Sequence, residues 1–153
     1  MSYVRHKSAN ERTSSARALV KALMGDLPGV SLNHKKECLS HVALYKITEA
    51  DCKHKFRTRF MSNAALEIAK TQKKIGSGGV LVHEHVTERS KIIDSLLKAS
   101  PEDVDEILDS VVACIVTKEE HKNLNNFKNA HGWERYRAAK VRVWDTHTDS
   151  QFI

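Results

Sequence analysis

The stretch "VLVHEHVTERS" (80–90) joins a run of apolar β-formers to a cluster of ionisable side chains. Three apolar residues lead directly into His83, Glu84 and His85, and the chain becomes polar soon afterwards. Short runs that are rich in β-branched residues and bounded by turn residues are typical of strands. We therefore predict a buried strand over 80–86 whose end carries two imidazoles and a carboxylate.

Working outward from this strand, hydrophobic patterns predict two more strands. "VVACIV" (111–116) is a continuous apolar run, and "KVRVW" (140–144) alternates between apolar and basic residues. Glycine-rich breaks fall at 25–29 and 76–79. The remaining pattern predicts helices over 9–24, 34–46, 48–76, 89–98, 100–109, 117–128 and 132–139.

The longest predicted helix, 48–76, depends on a stripe of apolar residues. Phe56, Phe60 and Ala64 recur at four-residue steps, which is the spacing of one helical face. Lysines near its end suit the negative end of the helix dipole.

The helix predicted over 117–128 has a more specific start. Thr117 followed three residues later by Glu120 forms a capping box. His121 and Asn125 are four residues apart, so they lie on one face of this helix. We therefore expect a polar cluster on the helix beside the polar end of the first strand.

Composition describes an ordinary globular chain. A length of 153 residues fits one domain with a substantial core. No apolar run approaches the roughly 18 residues of a membrane helix, so we expect no membrane partner, and no secretory signal is visible. The three cysteines are widely spaced and form no CxxC pair, which favours a reducing, cytoplasmic location over a disulfide framework or a cysteine zinc site.

The charge balance points to a polyanionic partner. The formal net charge is +6 with neutral histidines, and the isoelectric point is about 9.3. Nucleic acid is the first candidate, with DNA preferred to RNA. The oligomeric state is left open, with a dimer as one option.

These patterns predict an α+β fold that is mainly helical and contains a small antiparallel ββα unit. We expect a single domain over 1–153 with three parts along the chain. They are a helical N-terminal part (1–78), the ββα core (79–128) and a C-terminal extension (129–153).

The core resembles that of the ββα-metal nucleases, also called the HNH family. The shared features are a first strand with an acid-histidine-aliphatic signature, a second strand, and a histidine on the following helix. "EHVTERS" (84–90) stands where that signature would lie, and the resemblance covers about 79–128. The resemblance implies that Glu84 is a metal ligand and His85 the general base. It further implies that His121 is a second ligand, and Asn125 an additional ligand or a phosphate-orienting amide.

Strand geometry leaves a second ligand set open. Because side chains alternate along a strand, His83 and His85 share a face that Glu84 opposes. The alternative site is therefore His83 and His85 with His121. A three-histidine site favours zinc, whereas we expect Mg²⁺ or Mn²⁺ in the site that the resemblance implies.

The expected function is a metal-dependent DNA endonuclease, a phosphodiester hydrolase. Water activated by His85 would attack phosphorus, and the ion would stabilise the charge that develops there. The alternative is a basic nucleic-acid-binding or interaction protein without catalysis, favoured because the family's middle asparagine has no clear counterpart. A zinc-stabilised structural module is a third hypothesis. The predicted phosphate contacts are Arg57, Arg59 and Arg89.

Overall fold

The computed structural model describes residues 3–153, which form two compact units. The sheet unit comprises residues 3–5, 52–86 and 113–153. The helical unit comprises 6–51 and 87–112. The segment between the two strands of the predicted ββα core therefore belongs to a different unit from the strands themselves.

The sheet unit is built on a mixed sheet with the strand order β2-β3-β1-β4-β5. β1 and β3 are parallel, and all other neighbours are antiparallel. The predicted α+β class is confirmed, but the expectation of only two or three strands is wrong. The strands are β1 (Phe60–Ser62), β2 (Leu81–His85), β3 (Ala113–Thr117), β4 (Val143–Asp145) and β5 (Ser150–Gln151).

The helices follow the predicted positions over most of the chain, and the 9–24 and 89–98 predictions are confirmed at both ends. Among residues 3–153, no helix combines the length and apolar character that crossing a bilayer requires. The helices are α1 (Ala9–Met24), α2 (Leu32–Cys38), α3 (Leu44–Glu49), α4 (Asn63–Ile68), α5 (Arg89–Lys98), α6 (Val104–Asp109), α7 (Lys118–Leu124) and α8 (Trp133–Ala138).

In the helical unit, α1, α3, α5 and α6 supply residues to an aliphatic core, whereas α2 has no buried residue. A π-helical turn, Leu39–Ala43, joins α2 to α3. Arg89 donates to the carbonyl of Ser40 in this turn at 2.7 Å, and its guanidinium lies over the ring of Tyr45. The buried core residues are Val20, Leu39, Ala43, Leu44, Ile92, Ile93, Leu96, Val104, Leu108 and Val111.

The predicted helix over 48–76 is wrong. α3 ends at Glu49, β1 occupies the middle of the segment, and only α4 is helical beyond it. Phe60 and Met61 are buried in β1, where each has ladder partners on β3 and β4. Pairing with strands distant in sequence therefore outweighed the local four-residue pattern. Ser62 ends β1 and caps α4, since its side chain accepts from the backbone N–H of Ala65.

Candidate functional site

The strand–strand–helix order predicted from the sequence is present in the sheet unit. β2 pairs antiparallel with β3, and α7 begins directly after β3 and packs against both strands. The predicted capping box is confirmed, with Thr117 and Glu120 bonded reciprocally. α7 therefore runs back along the strand that carries the His83–His85 segment.

Glu84 and the two neighbouring histidines point to opposite faces of β2. His83 and His85 are buried, and their ring centroids lie 5.4 Å apart. Glu84 lies between them in sequence and therefore projects from the other face. In the ladder its partner is Cys114 of β3.

Glu84 binds two cationic or ionisable side chains, one through each carboxylate oxygen. Its Oε2 lies 2.7 Å from Nδ1 of His121 on α7. Its Oε1 accepts from Nη2 of Arg135 on α8 at 2.6 Å. The side chains of Arg135 and Glu84 are 4% and 12% exposed, whereas that of His121 is 37% exposed. The cluster thus runs from a buried guanidinium through a carboxylate to an imidazole at the surface.

Arg135 also fixes the end of β2. The same Nη2 atom donates to the backbone carbonyls of His85 at 3.2 Å and Val86 at 3.4 Å. A buried charge is tolerated only when it is paired and hydrogen-bonded. Arg135 meets that requirement through Glu84 and the strand end, so it orients both.

The first turn of α7 is anchored next to His121. Oε2 of Glu120 accepts from the Ser62 hydroxyl at 2.5 Å and from the Thr117 backbone N–H at 2.9 Å. Ser62 in turn caps α4, so one carboxylate connects β1, α4 and α7. This connection sets the position of the imidazole that follows Glu120 in the sequence.

The ring nitrogens of His121 have different roles in this arrangement. An ionised carboxylate only accepts hydrogen bonds, so Nδ1 of the neutral ring must carry the proton. Nε2 then holds the lone pair on the opposite side of the ring. A lone pair on a partly exposed imidazole can accept a proton from water.

Two buried weak acids lie beneath the cluster. Burial raises the pKa of the Cys114 thiol and of the Tyr136 hydroxyl well above their ordinary values. Both groups are therefore neutral at physiological pH. Cys114 is an inert buried thiol, because reactive cysteines need an exposed, electropositive environment.

The structure brings together only part of the predicted site. Glu84 and His121 are in contact, as the family resemblance implies for the two predicted ligands. His83 and His85 lie on the opposite face, so the proposed general base, His85, does not join this pair. Asn125 lies at the C-cap of α7 and is exposed.

The three predicted phosphate-binding arginines already have protein contacts. Arg59 forms a two-atom ion pair with Asp145, with nitrogen–oxygen distances of 3.0 and 2.7 Å. Arg57 is half-buried, its guanidinium lies over the ring of Phe56, and burial lowers its pKa. Arg89 binds within the helical unit, as described above.

The described donors do not fit a divalent ion held by the protein alone. Among residues 3–153, no three His, Cys, Asp or Glu side chains form a group that could hold a metal. Glu84 and His121 supply two donors, but both carboxylate oxygens are engaged, one of them with a guanidinium. The predicted dependence on Mg²⁺, Mn²⁺ or Zn²⁺ stays a prediction.

Sequence reasoning missed Arg135. A glutamate inside a predicted buried strand does signal a buried cationic partner. The sequence offers many candidates, and nothing local distinguishes Arg135 from Arg137 on the same short helix. Its role depends on how α8 lies on the sheet.

No family model, no curated protein and no solved structure matches the chain.

Proposed function

We propose that this protein is an endonuclease that hydrolyses phosphodiester bonds in DNA, with His121 as its general base. The supporting observation is the 2.7 Å contact between Glu84 and His121, made across the strand and helix of a ββα arrangement. That contact leaves Nε2 of a partly exposed ring as a proton acceptor.

The proposed reaction uses the imidazole in both protonation states. Nε2 takes a proton from water as the water oxygen forms its bond to phosphorus and the bond to the leaving oxygen breaks. Glu84 stabilises the imidazolium that results, because its carboxylate lies 2.7 Å from Nδ1. The proton then passes to the leaving oxygen, which restores the neutral ring.

The charge of the chain supports the substrate class. A net charge of +6 favours association with a polyanion. Among residues 3–153, Cys38, Cys52 and Cys114 form no disulfide, which suits a reducing compartment, and we propose a cytoplasmic location. Because substrate phosphates often hold Mg²⁺ together with one or two carboxylates, the ion is included as an assay variable.

Nicking of supercoiled plasmid tests the proposal. Wild-type protein, His121→Ala and His34→Ala are compared in Mg²⁺, in Mn²⁺ and in EDTA. His34 is an exposed histidine of the helical unit and serves as the matched control. We expect His121→Ala to nick about 10²- to 10⁴-fold more slowly, the usual contribution of a general base, and His34→Ala to match wild type. Equal rates for wild type and His121→Ala would refute the assignment.

A second candidate is a basic nucleic-acid-binding protein without catalysis. It is favoured by the separation of His83 and His85 from the Glu84–His121 pair, because the family-like set of ligands and base is then incomplete. Wild-type protein that binds DNA but nicks it under none of the three conditions would support this candidate and reject the endonuclease.

A further inference from the structure

We infer that Arg135 is a positioning residue that fixes the orientation of the side chain at position 84, and that this side chain, so held, sets the tautomer of His121. The importance of the tautomer for catalysis rests on the proposed function. The tautomer itself can be measured on the ring whether or not the protein cleaves DNA.

The inference follows from the directions of the hydrogen bonds. A guanidinium can only donate, so Arg135 requires an acceptor at the position of Oε1. Glu84 satisfies it and presents a second acceptor, Oε2, to His121. Nδ1 of His121 must therefore donate, and Nε2 must hold the lone pair.

Arg135 is well placed to impose this order. Its side chain is 4% exposed, and Nη2 contacts the carboxylate together with the carbonyls of His85 and Val86. Turning away would leave a buried guanidinium without these three acceptors, which is costly. The Glu84 atom that faces Arg135 must therefore be a hydrogen-bond acceptor.

Replacing Glu84 by glutamine exposes the role of Arg135. The amide has one acceptor and one donor end, and Arg135 requires the acceptor to face it. The NH₂ group then faces His121, so Nδ1 must accept and the proton moves to Nε2. Glu84→Gln therefore converts the proposed base into a donor while changing the volume of the side chain very little.

Removing the guanidinium should reverse this effect. In the double variant Glu84→Gln/Arg135→Met, nothing dictates which end of the amide faces α8. The amide can turn and accept from Nδ1 again. The double variant buries no ionic charge at this position, and exchanging a buried ion pair for neutral side chains is often tolerated.

The experiment is long-range ¹H–¹⁵N correlation of the histidine rings in ¹⁵N-labelled protein, at a pH where His121 is neutral. We expect Nδ1–H in wild type, Nε2–H in Glu84→Gln, and a return towards Nδ1–H in the double variant. Glu134→Gln is the control, because Glu134 is an exposed carboxylate on the same helix and pairs with Arg137. It should leave the spectrum of His121 unchanged.

Three results would overturn the inference. They are Nε2–H in the wild type, an unchanged tautomer in Glu84→Gln, and a double variant that matches Glu84→Gln. The wild-type spectrum alone tests the premise, even if a variant fails to fold. Nicking is measured on the same samples. If the tautomers are as expected but no nicking occurs, the endonuclease is rejected and the role of Arg135 stands. If the protein nicks DNA but the variants do not change the tautomer, the role of Arg135 is rejected and the endonuclease stands.

Discussion

The two units handle charged side chains in opposite ways. In the helical unit, Arg17 and Lys21 of α1 pair with Asp105 of α6 at side-chain exposures between 26% and 48%, outside an aliphatic core. In the sheet unit, Arg135 and Glu84 form the same kind of ion pair at 4% and 12%. Each pair joins a cationic side chain to a carboxylate, and the difference is burial.

Burial changes what such a pair implies about the protein. An exposed pair contributes about 0–1 kcal/mol, and salt screens it. A buried pair has a large desolvation cost, and well-packed apolar residues often stabilise a fold equally well. The exposed pairs of the helical unit therefore add little to its stability. The buried pair of the sheet unit contributes little that apolar packing could not, which is consistent with a role in orienting His121.

The largest effect on stability is expected from breaking the buried pair. Arg135→Met leaves Glu84 without its guanidinium and should lower the free energy of unfolding by about 3–5 kcal/mol. Urea unfolding followed by tryptophan fluorescence measures this loss. The method is specific, because Trp133 and Trp144 both lie in the sheet unit.

The exposed pair supplies the control. Arg17→Met, followed by far-UV circular dichroism, should cost less than about 1 kcal/mol. The double variant Glu84→Gln/Arg135→Met should recover most of the loss seen in Arg135→Met. Similar losses for the Arg17 and Arg135 single variants would remove the contrast between the units.

The contrast also explains how far the sequence predicts this molecule. Local sequence patterns are reliable where residues close together in the sequence determine the structure. The strand into His85, the capping box at Thr117 and the helices α1 and α5 all appear where predicted. In the helical unit, Val20 of α1 is buried in the aliphatic core.

The sheet unit departs from prediction where distant segments meet. Phe60 fits a helical stripe equally well, and only its pairing with β3 and β4 makes it a strand residue. Within the site, the alternation along β2 already set Glu84 apart from His83 and His85. The approach of His121 to Glu84 was expected from the family resemblance. The partner Arg135 comes from a helix 51 residues away in sequence, and no local pattern identifies it.

The two units can also be compared at acidic pH, through Asp145 in the sheet unit and Asp105 in the helical unit. Burial disfavours ionised Asp145 in the sheet unit, but hydrogen bonds from Arg59 and the His147 backbone outweigh it and hold the pKa of Asp145 below its ordinary value. In the helical unit, hydrogen bonds from Lys21 and Arg17 lower the pKa of Asp105. A carboxylate with a lowered pKa adds stability above its unfolded pKa of about 4, and this stability is lost as the pH falls through the folded value.

Asp145→Asn should therefore lose less free energy of unfolding than wild type between about pH 5 and pH 3. Most of this difference between variant and wild type should remain in 1 M NaCl. Asp105→Asn should flatten the loss as well, but only at low salt, because the screening length at 1 M is about 3 Å. Urea unfolding of wild type and both variants across this pH range, at two salt concentrations, measures the effects. Equal salt sensitivity for the two aspartates would show that the burial of Asp145 does not protect its ion pair.

The smallest expected effect concerns DNA binding, where the same reasoning revises the predicted phosphate contacts. Arg59 is already neutralised by Asp145, so Arg59→Ala should leave the salt dependence of binding almost unchanged.

Lys73 and Lys74 are exposed in the segment between α4 and β2, and we expect them to contact phosphate. Each contact contributes about −0.9 to the slope of log K against log salt, so replacing both by alanine should flatten the slope by about two. Replacing Lys35 and Lys36 of the helical unit, which are half-buried, is the control and should have no effect. A fluorescence anisotropy titration of one duplex over a salt series measures all three variants. A slope that changes with the α2 lysines, and stays constant with Lys73 and Lys74, would move the DNA-binding surface to the helical unit and separate it from His121.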